Sequence, residues 1–326
     1  MGCLIDSYHR RIDYMRVSVT DRCNLSCFYC TDGFVRHLKR SAILSYEEIE
    51  RVARAAACLG VNKIRLTGGE PLVRPKLETL VRLLSAIPGV DDISLTTNGL
   101  LLFDQAVRLK EAGLKRLNVS LDTFKPERFN NVSGSNRLSE VLAGIEVANK
   151  AGLEPVKINM VVMKGINEDE VINFAMKTRD DGWHVRYIEY MPILENEVDP
   201  SRLVSGKDVK KKIENELGSL EPVYTAGGSG PAEYYRLSGA HGTIGFIKPM
   251  SERFCDKCNR FRLTADGRLR TCLLSNNEVD IRNALRNGAS ISDLAMIIQQ
   301  AVDSKPEKSR VLVPSIIGKQ MKQIGG

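Results

Sequence analysis

The chain has 326 residues, of which 43% are hydrophobic and 27% are charged, a composition that excludes a disordered or fibrous protein. No apolar run approaches the roughly 20 residues that a membrane span needs, and the first twenty residues lack the apolar core of a secretory signal. The net charge of +7 is diffuse and suits an anionic substrate such as a phosphate ester. We therefore expect a cytoplasmic protein that binds neither a membrane nor nucleic acid.

In chain order, short β-rich runs alternate with amphipathic helical stretches. Strands are predicted at 16–20, 63–67, 93–97, 116–121, 156–162 and 185–189. Helices are predicted between them at 46–59, 75–86, 103–111, 138–150 and 168–178. Ser45 and Glu48 have the spacing of a helix capping box, and Gly60, Gly113 and Gly152 follow helices as C-terminal cap glycines do.

Six consecutive strand–helix units predict an α/β fold with a parallel sheet, either a partial (βα)6 TIM-like barrel or an open doubly wound sheet. In both folds, ligands bind at the carboxyl ends of the strands. The pattern breaks after Met191. Beyond it, short strands are predicted near 234–237, 243–247, 261–264 and 268–270, and helices near 280–286 and 291–301. We predict a main domain at residues 1–225 and a smaller α+β region at 226–326.

Six of the eight cysteines form two tight groups, which in a chain without a secretory signal indicate metal ligands rather than disulfides. The first group is Cys23, Cys27 and Cys30, directly after the first strand, and the second is Cys255, Cys258 and Cys272. Three thiolates leave one iron of a four-iron cluster open to a small molecule. Zinc with a distant fourth ligand is the alternative for either group.

The first group reads Cys23-x3-Cys27-x2-Cys30 with Tyr29 before the third cysteine, and this resembles the signature of the radical S-adenosylmethionine (SAM) superfamily. The motif Gly68-Gly69-Glu70-Pro71 ends the second strand and resembles the one that contacts the methionine amino group in that superfamily. The resemblance implies a radical SAM partial barrel. It also implies a [4Fe-4S] cluster with SAM bound to its open iron.

Further motifs are spread over almost the whole chain: Arg16-Val-Ser-Val-Thr-Asp-Arg-Cys23, Lys63-Ile-Arg65-Leu-Thr, Leu95-Thr96-Thr97-Asn98-Gly99, Asn118-Val-Ser120-Leu-Asp122, Lys157-Ile-Asn159, Tyr187-Ile-Glu189-Tyr-Met191, Cys258-Asn-Arg260-Phe-Arg262 and the final Gly325-Gly326. Together they resemble the molybdenum cofactor biosynthesis protein A family, the GTP 3′,8-cyclases. The family implies a second [4Fe-4S] cluster and a lyase reaction. In that reaction a 5′-deoxyadenosyl radical abstracts H3′ of GTP, and the C3′–C8 bond of (8S)-3′,8-cyclo-7,8-dihydroguanosine 5′-triphosphate forms, the first step of molybdenum cofactor biosynthesis.

The resemblance also implies a role for each matching residue. The SAM contacts are Tyr29, Gly69, Glu70, Ser120 and Met191. The GTP contacts are Arg16, Lys63, Arg65, Thr96, Lys157, Arg260 and Arg262. The catalytic residues are Arg260, Arg262, Gly325 and Gly326, with the glycine pair threading into the active site. This chain departs from the family pattern after Cys30, where it has Thr31-Asp32 and the family commonly has Met-Pro.

The implied partners are a reductant such as flavodoxin or ferredoxin, and the next pathway enzyme, cyclic pyranopterin monophosphate synthase, which would receive the product. A homodimer is a further expectation. Two other function classes stay open: a peptide-modifying radical enzyme with auxiliary clusters, and a zinc-stabilised binding protein without catalysis. The paired Arg260 and Arg262 and the regular βα pattern favour the cyclase.

Overall fold

A computed structural model describes residues 2–31, 37–192, 199–223, 230–309 and 321–325. The strands are β1 (Tyr14–Ser18), β2 (Lys63–Thr67), β3 (Asp92–Thr97), β4 (Arg116–Ser120), β5 (Val156–Val162), β6 (His184–Glu189), β7 (Leu220–Pro222), β8 (Glu233–Leu237), β9 (Ile244–Ile247), β10 (Arg260–Leu263), β11 (Arg268–Arg270) and β12 (Glu278–Asp280). The helices are α1 (Tyr46–Cys58), α2 (Leu77–Ser85), α3 (Leu102–Glu111), α4 (Pro126–Ser133), α5 (Leu138–Lys150), α6 (Val171–Asp180), α7 (Gly206–Leu217), α8 (Arg282–Arg286), α9 (Ile291–Asp303) and α10 (Met321–Ile324).

All twelve strands belong to one sheet with the order β12-β11-β10-β1-β2-β3-β4-β5-β6-β9-β8-β7. Strands β1 to β6 are parallel neighbours in chain order, which confirms the predicted sheet. Two later strands extend it in the same direction, because β10 pairs with β1 and β9 pairs with β6. Antiparallel strands complete both edges. The described strands thus form a sheet that does not close on itself, since β12 and β7 are its two edges, as in a partial barrel.

The predicted elements differ from the observed ones mainly at their ends. The first strand begins at Tyr14, two residues earlier than predicted, and α2 begins at Leu77 because Lys76 takes a left-handed conformation with φ 58°. The helix predicted from 168 starts with a 3-10 turn, Glu168–Glu170. Helix α4 and the short strands β7 and β12 were not predicted, since none of them carries a long periodic pattern.

The local signals at helix ends are confirmed. The Ser45 hydroxyl accepts from the Glu48 backbone N–H, and the Glu48 carboxylate accepts from that of Ser45. Gly60, Gly113 and Gly152 have φ of 92°, 108° and 72°, the left-handed conformation that ends a helix. These features fix where α1 begins and where α1, α3 and α5 end.

One large hydrophobic core connects the strands from both halves of the chain. It includes Met15 and Ile158 from the central strands, and also Phe246 and Phe261 from the later strands β9 and β10. The boundary predicted between residues 225 and 226 lies among residues 224–229, outside the described residues. In the part of the chain that the structure describes, no helix is both long enough and apolar enough to span a bilayer.

Candidate active site

The inner face of the sheet encloses a cavity of about 410 Å³. It brings together all six clustered cysteines and the predicted ligand contacts Tyr29, Gly69, Glu70, Ser120, Met191, Arg16, Lys63, Arg65, Thr96, Lys157, Arg260 and Arg262. Residues from both predicted domains therefore line one cavity. The site is consistent with a ligand pocket assembled by an α/β sheet.

The first cysteine trio (Cys23, Cys27 and Cys30) lies in the loop that follows β1. The loop is held against the end of β2, because the Gly69 N–H donates to the Thr20 carbonyl at 2.8 Å and the Glu70 N–H donates to the Arg22 carbonyl at 2.7 Å. A Cβ at position 69 would lie 2.2 Å from the Arg22 carbonyl oxygen. Only glycine permits this close approach, so Gly69 supports the loop of the first trio.

The three cysteines of the first trio are half-buried, and their thiols act on one another electrostatically. Burial raises the pKa of each, to about 12 for Cys30, and neighbouring thiols raise the pKa of Cys27 and Cys30 further. A cation or cluster that binds thiolates would remove this cost. Among the described residues, no three His, Cys, Asp or Glu side chains lie close enough together to hold a single metal ion. A soft donor set spread around a cavity fits a four-iron cluster better than a zinc ion.

Two buried carboxylates position this loop and its neighbours. Glu70 is 1% exposed, and it accepts hydrogen bonds from the Thr97 hydroxyl at 2.7 Å and the Asn98 N–H at 2.7 Å. Asp122 accepts from the Tyr29 hydroxyl at 2.6 Å and from the Val161 N–H at 2.8 Å. Burial raises the pKa of Glu70 to about 7 and that of Asp122 to about 6. Both carboxylate oxygens of Glu70, which was predicted as a SAM contact, accept hydrogen bonds from groups of its own chain.

The second cysteine trio (Cys255, Cys258 and Cys272) lies at the opposite end of the strands. Cys258 comes just before β10, whose first residue Arg260 is the register partner of Tyr14 at the start of β1. Cys272 follows β11, which runs antiparallel to β10 and so returns to the same end. The first trio follows the other end of β1. The length of β1 and β10 therefore separates the two trios.

Basic side chains fill the space between the trios. The register across β10, β1 and β2 forms a lower row of Arg260, Tyr14 and Lys63, and an upper row of Arg262, Arg16 and Arg65. Alternate residues of a strand share a face, so both rows point into the cavity. Four guanidinium groups and one ammonium group thus lie in two neighbouring rows on the same face of three adjacent strands.

Few carboxylates neutralise these cations. Lys63 pairs with Asp13 at 3.2 Å, but Arg65, Arg260 and Arg262 form no ion pair with Asp or Glu in the described ranges. Burial lowers the pKa of Arg16 well below its usual value, and the charge of Arg262 lowers it further. Burial and then the charge of Arg260 lower the pKa of Arg262 to about 10. A polyanionic ligand would relieve this repulsion.

The far wall adds two more cations around a tyrosine. The Lys157 ammonium lies 3.5 Å from the Tyr234 hydroxyl and 5.1 Å from the centre of its ring. Arg186 is 7% exposed, and its Nε and Nη2 atoms have no hydrogen-bond partner in the described part of the chain. Unsatisfied buried donors on a guanidinium are costly. These two nitrogen atoms of Arg186 are therefore available to donate to a ligand.

The C-terminal tail enters this cavity. Arg262 donates from Nη1 to the Gly325 carbonyl oxygen at 2.7 Å. Ile324 is 1% exposed and packs with Met191 and Leu274. Gly325 has φ 75°, and a Cβ there would lie 2.5 Å from Thr67 Oγ1, so glycine is required at this position. Gly326 lies outside the described residues.

Sequence reasoning assigned no role to several residues that line the cavity, among them Tyr14, Asp122, Arg186 and Tyr234. Tyr14 accepts a hydrogen bond from Arg65 Nε across neighbouring strands. The one available signal was Arg186 itself, a charged residue between the apolar neighbours Val185 and Tyr187 of a predicted core strand. The other three depend on register and on side-chain contacts that a pattern does not encode.

The second half of the chain matches the family model Molybdenum Cofactor Synthesis C over residues 183–311. The first half matches the Radical SAM superfamily model over residues 17–177. The two matched segments meet between the first and second cysteine trios. Each segment therefore carries one trio.

Solved structures share the fold. SuiB of Streptococcus suis bound to S-adenosylmethionine aligns with a TM-score of 0.63 at 14% identity, covering 89% of this chain and 69% of that one. Native anSMEcpe with bound AdoMet aligns with a TM-score of 0.61 at 18% identity, covering 90% and 81% of the two chains. At these identities the likeness shows the fold alone.

Relatives of much higher similarity carry one name. The GTP 3′,8-cyclase of Pelotomaculum thermopropionicum is 51% identical over 98% of this chain and 99% of its own length. The GTP 3′,8-cyclase of Moorella thermoacetica is 46% identical over 98% and 99% of the two chains. That of Thermodesulfovibrio yellowstonii is 46% identical over 93% and 94%. The chain belongs to the GTP 3′,8-cyclase family of radical SAM proteins.

Proposed function

We propose that this protein is a GTP 3′,8-cyclase that catalyses the first step of molybdenum cofactor biosynthesis. The observation that carries the proposal is one cavity with a thiol trio at each end and two rows with five cationic side chains between them. That order suits a nucleoside triphosphate bridging two cofactor sites. Family membership at 51% identity agrees with it.

The first trio would hold a [4Fe-4S] cluster, and the second trio would hold another. When bound, the first cluster supplies the electron that cleaves SAM and thereby starts radical chemistry on the ribose. The chain's own residues provide the surroundings: Gly69 brings the β2 backbone against the trio, and Ser120 and Met191 line the same end of the cavity.

The cationic rows would hold the triphosphate of GTP. Guanidinium groups bind phosphate oxygens through paired hydrogen bonds, and Arg16, Arg65 and Arg262 lie side by side in the upper row. Lys157 and Arg186 face them from the far wall, and Thr96 lies within 3.4 Å of Arg65 Nη1. Arg260, beside the second trio, would then contact the base end of the nucleotide. Held on both sides, the ribose is positioned for hydrogen abstraction.

Gly325 contacts the centre of this arrangement. Its carbonyl accepts from Arg262, so the tail fixes one guanidinium of the upper row. We propose that Gly325 and Gly326 complete the site on this basis. Deleting both glycines should reduce product formation while both clusters stay bound, as measured by iron content and product yield.

Three further proposals concern partners and location. The electron would come from a low-potential carrier such as flavodoxin or ferredoxin, and the product would pass to cyclic pyranopterin monophosphate synthase. A homodimer is proposed as the working oligomer, testable by light scattering. The eight free cysteines suit the reducing cytoplasm, where thiols stay available for clusters.

The decisive experiment is anaerobic incubation of the reconstituted chain with GTP, SAM and dithionite, followed by product identification. Cys27→Ser should abolish 5′-deoxyadenosine formation. Cys258→Ser should retain SAM cleavage but lose cyclisation, because the two trios serve different ends of the cavity. Cys58→Ser is the matched control, since Cys58 is exposed and lies outside the site. No cyclised nucleotide from the unmodified chain, or equal loss of cleavage in both trio variants, would reject the assignment.

A further inference from the structure

A buried lysine lies behind the second cysteine trio. Lys305 follows α9 and is 3% exposed. Its ammonium donates to the Arg260 carbonyl oxygen at 2.9 Å and also to the Thr271 carbonyl oxygen. Arg260 comes two residues after Cys258, and Thr271 comes directly before Cys272. One ammonium thus ties together the two backbone segments that carry two of the three thiols.

The same ammonium acts electrostatically on two of the thiols. The charges of Cys258 and Cys272 affect Lys305, and the charge of Lys305 lowers the pKa of Cys258. The lysine lies behind the thiols, and it does not appear among the cavity-lining residues. It is therefore not a further phosphate contact.

A neighbouring arginine provides an internal comparison. Arg10 is also buried, and it donates to the Cys255 carbonyl at 2.9 Å and to the Pro306 carbonyl at 2.7 Å. Arg10 has its own counter-ion, because its Nε lies 2.6 Å from the Asp6 carboxylate. Arg10 thus has a structural role: its charge is balanced by Asp6, and it holds the backbone of Cys255, the remaining cysteine of the second trio.

Among the described residues, Lys305 has no such counter-ion, because no Asp or Glu carboxylate pairs with its ammonium. Residues 310–320, which follow it closely in the chain, contain no Asp or Glu. Burying an ammonium without a counter-charge is strongly unfavourable, because the charge loses its hydration. The negative charge that would balance it is that of the thiolates and of what they bind.

We propose that Lys305 is a positioning residue of the second trio, which joins the segments of Cys258 and Cys272 and presents a fixed positive charge to the cluster that these thiolates hold. The inference rests on the proposed function, because it requires a cluster at the second trio. A positive charge and hydrogen bonds near cluster sulfur favour the reduced, more negative form of a cluster. Removal of the charge should therefore lower the reduction potential.

The test uses the full-length chain in which Cys23, Cys27 and Cys30 are replaced by Ser, so that the second cluster alone is observed. Lys305→Gln keeps hydrogen-bond donors for the two carbonyls but lacks the charge. Lys305→Met lacks both, and Lys305→Arg keeps the charge. Lys308→Met is the matched control, because Lys308 is exposed in the same segment. The readouts are iron and sulfide per chain and the midpoint potential from an EPR-monitored redox titration.

We expect Lys305→Gln to bind the full complement of about four irons with a midpoint potential more negative than that of the parent. Lys305→Met should lose iron from this site, whereas Lys305→Arg and Lys308→Met should resemble the parent in both readouts. An unchanged potential in Lys305→Gln overturns the charge role even if Lys305→Met does not fold. Full iron content in a folded Lys305→Met overturns the joining role. A parent chain that binds no second cluster would overturn the proposed function as well.

Discussion

Replacing Gly69 by Ala tests how tightly the β2 end supports the first cysteine trio. The added Cβ would lie 2.2 Å from the Arg22 carbonyl oxygen and 3.1 Å from the Cys23 backbone nitrogen. Ordinary contacts need a separation larger by about 1 Å, so the backbone that carries Cys23 must move by that amount. Overpacking of this kind costs about 1–3 kcal/mol in stability. Because a misplacement of about 1 Å near a reacting centre can cost about 100-fold in rate, we expect 5′-deoxyadenosine formation to fall by about that factor.

The assay is SAM cleavage by the anaerobically reconstituted chain, together with iron content and urea unfolding. Gly165→Ala is the matched control. Gly165 has φ 72° and nothing within 4 Å of its added Cβ, so this change costs about 1 kcal/mol of left-handed strain without touching the site. If Gly69→Ala cleaves SAM at the parental rate with full iron content, the close approach is not what supports the trio.

The other predictions concern buried polar groups. Tyr29→Phe removes the hydroxyl that donates to the buried carboxylate of Asp122. The loss of this hydrogen bond should lower the free energy of unfolding by about 1–3 kcal/mol. Equal urea midpoints for the variant and the parent would contradict this. Burial, followed by the charge of Lys157, lowers the pKa of His184 to about 4 in the folded chain. The unfolded chain therefore binds the extra proton between about pH 4 and 6.5, and stability falls as pH drops through that window. Because the imidazole is only partly buried, we expect His184→Gln to reduce the loss between pH 7.5 and 5 by on the order of 1 kcal/mol; the same reduction in the exposed His241→Gln control would refute it.

The parallel core could be predicted from the chain because its signals are local. The strand at 63–67 and the helix at 138–150 agree with the structure at both ends. In the strand, the apolar residues Ile64 and Leu66 alternate with charged ones, and in the helix the buried residues recur every three or four positions. The two cysteine trios could also be predicted from the sequence, because the spacing of metal ligands within each trio is a local feature of the chain.

The rest of the site depends on pairings between distant segments. The upper row exists only because β10 pairs in parallel with β1, so that Arg262 becomes the register partner of Arg16. No local pattern fixes that register, and a shift by one residue would point these side chains to the other face. The contact between Tyr29 and Asp122 also joins segments 93 residues apart. For the same reason Lys305 gave no signal in the chain.

The placement of β9 and β10 has a consequence for how the chain can fail. The six consecutive strands leave two unpaired borders, at β1 and at β6, and both are covered only by strands that come after residue 243. An exposed border of this kind recruits strands from other molecules. A chain truncated before Ile244 would thus expose two unpaired edge strands, β1 and β6. Premature termination in this gene should therefore yield insoluble aggregates rather than a soluble fragment.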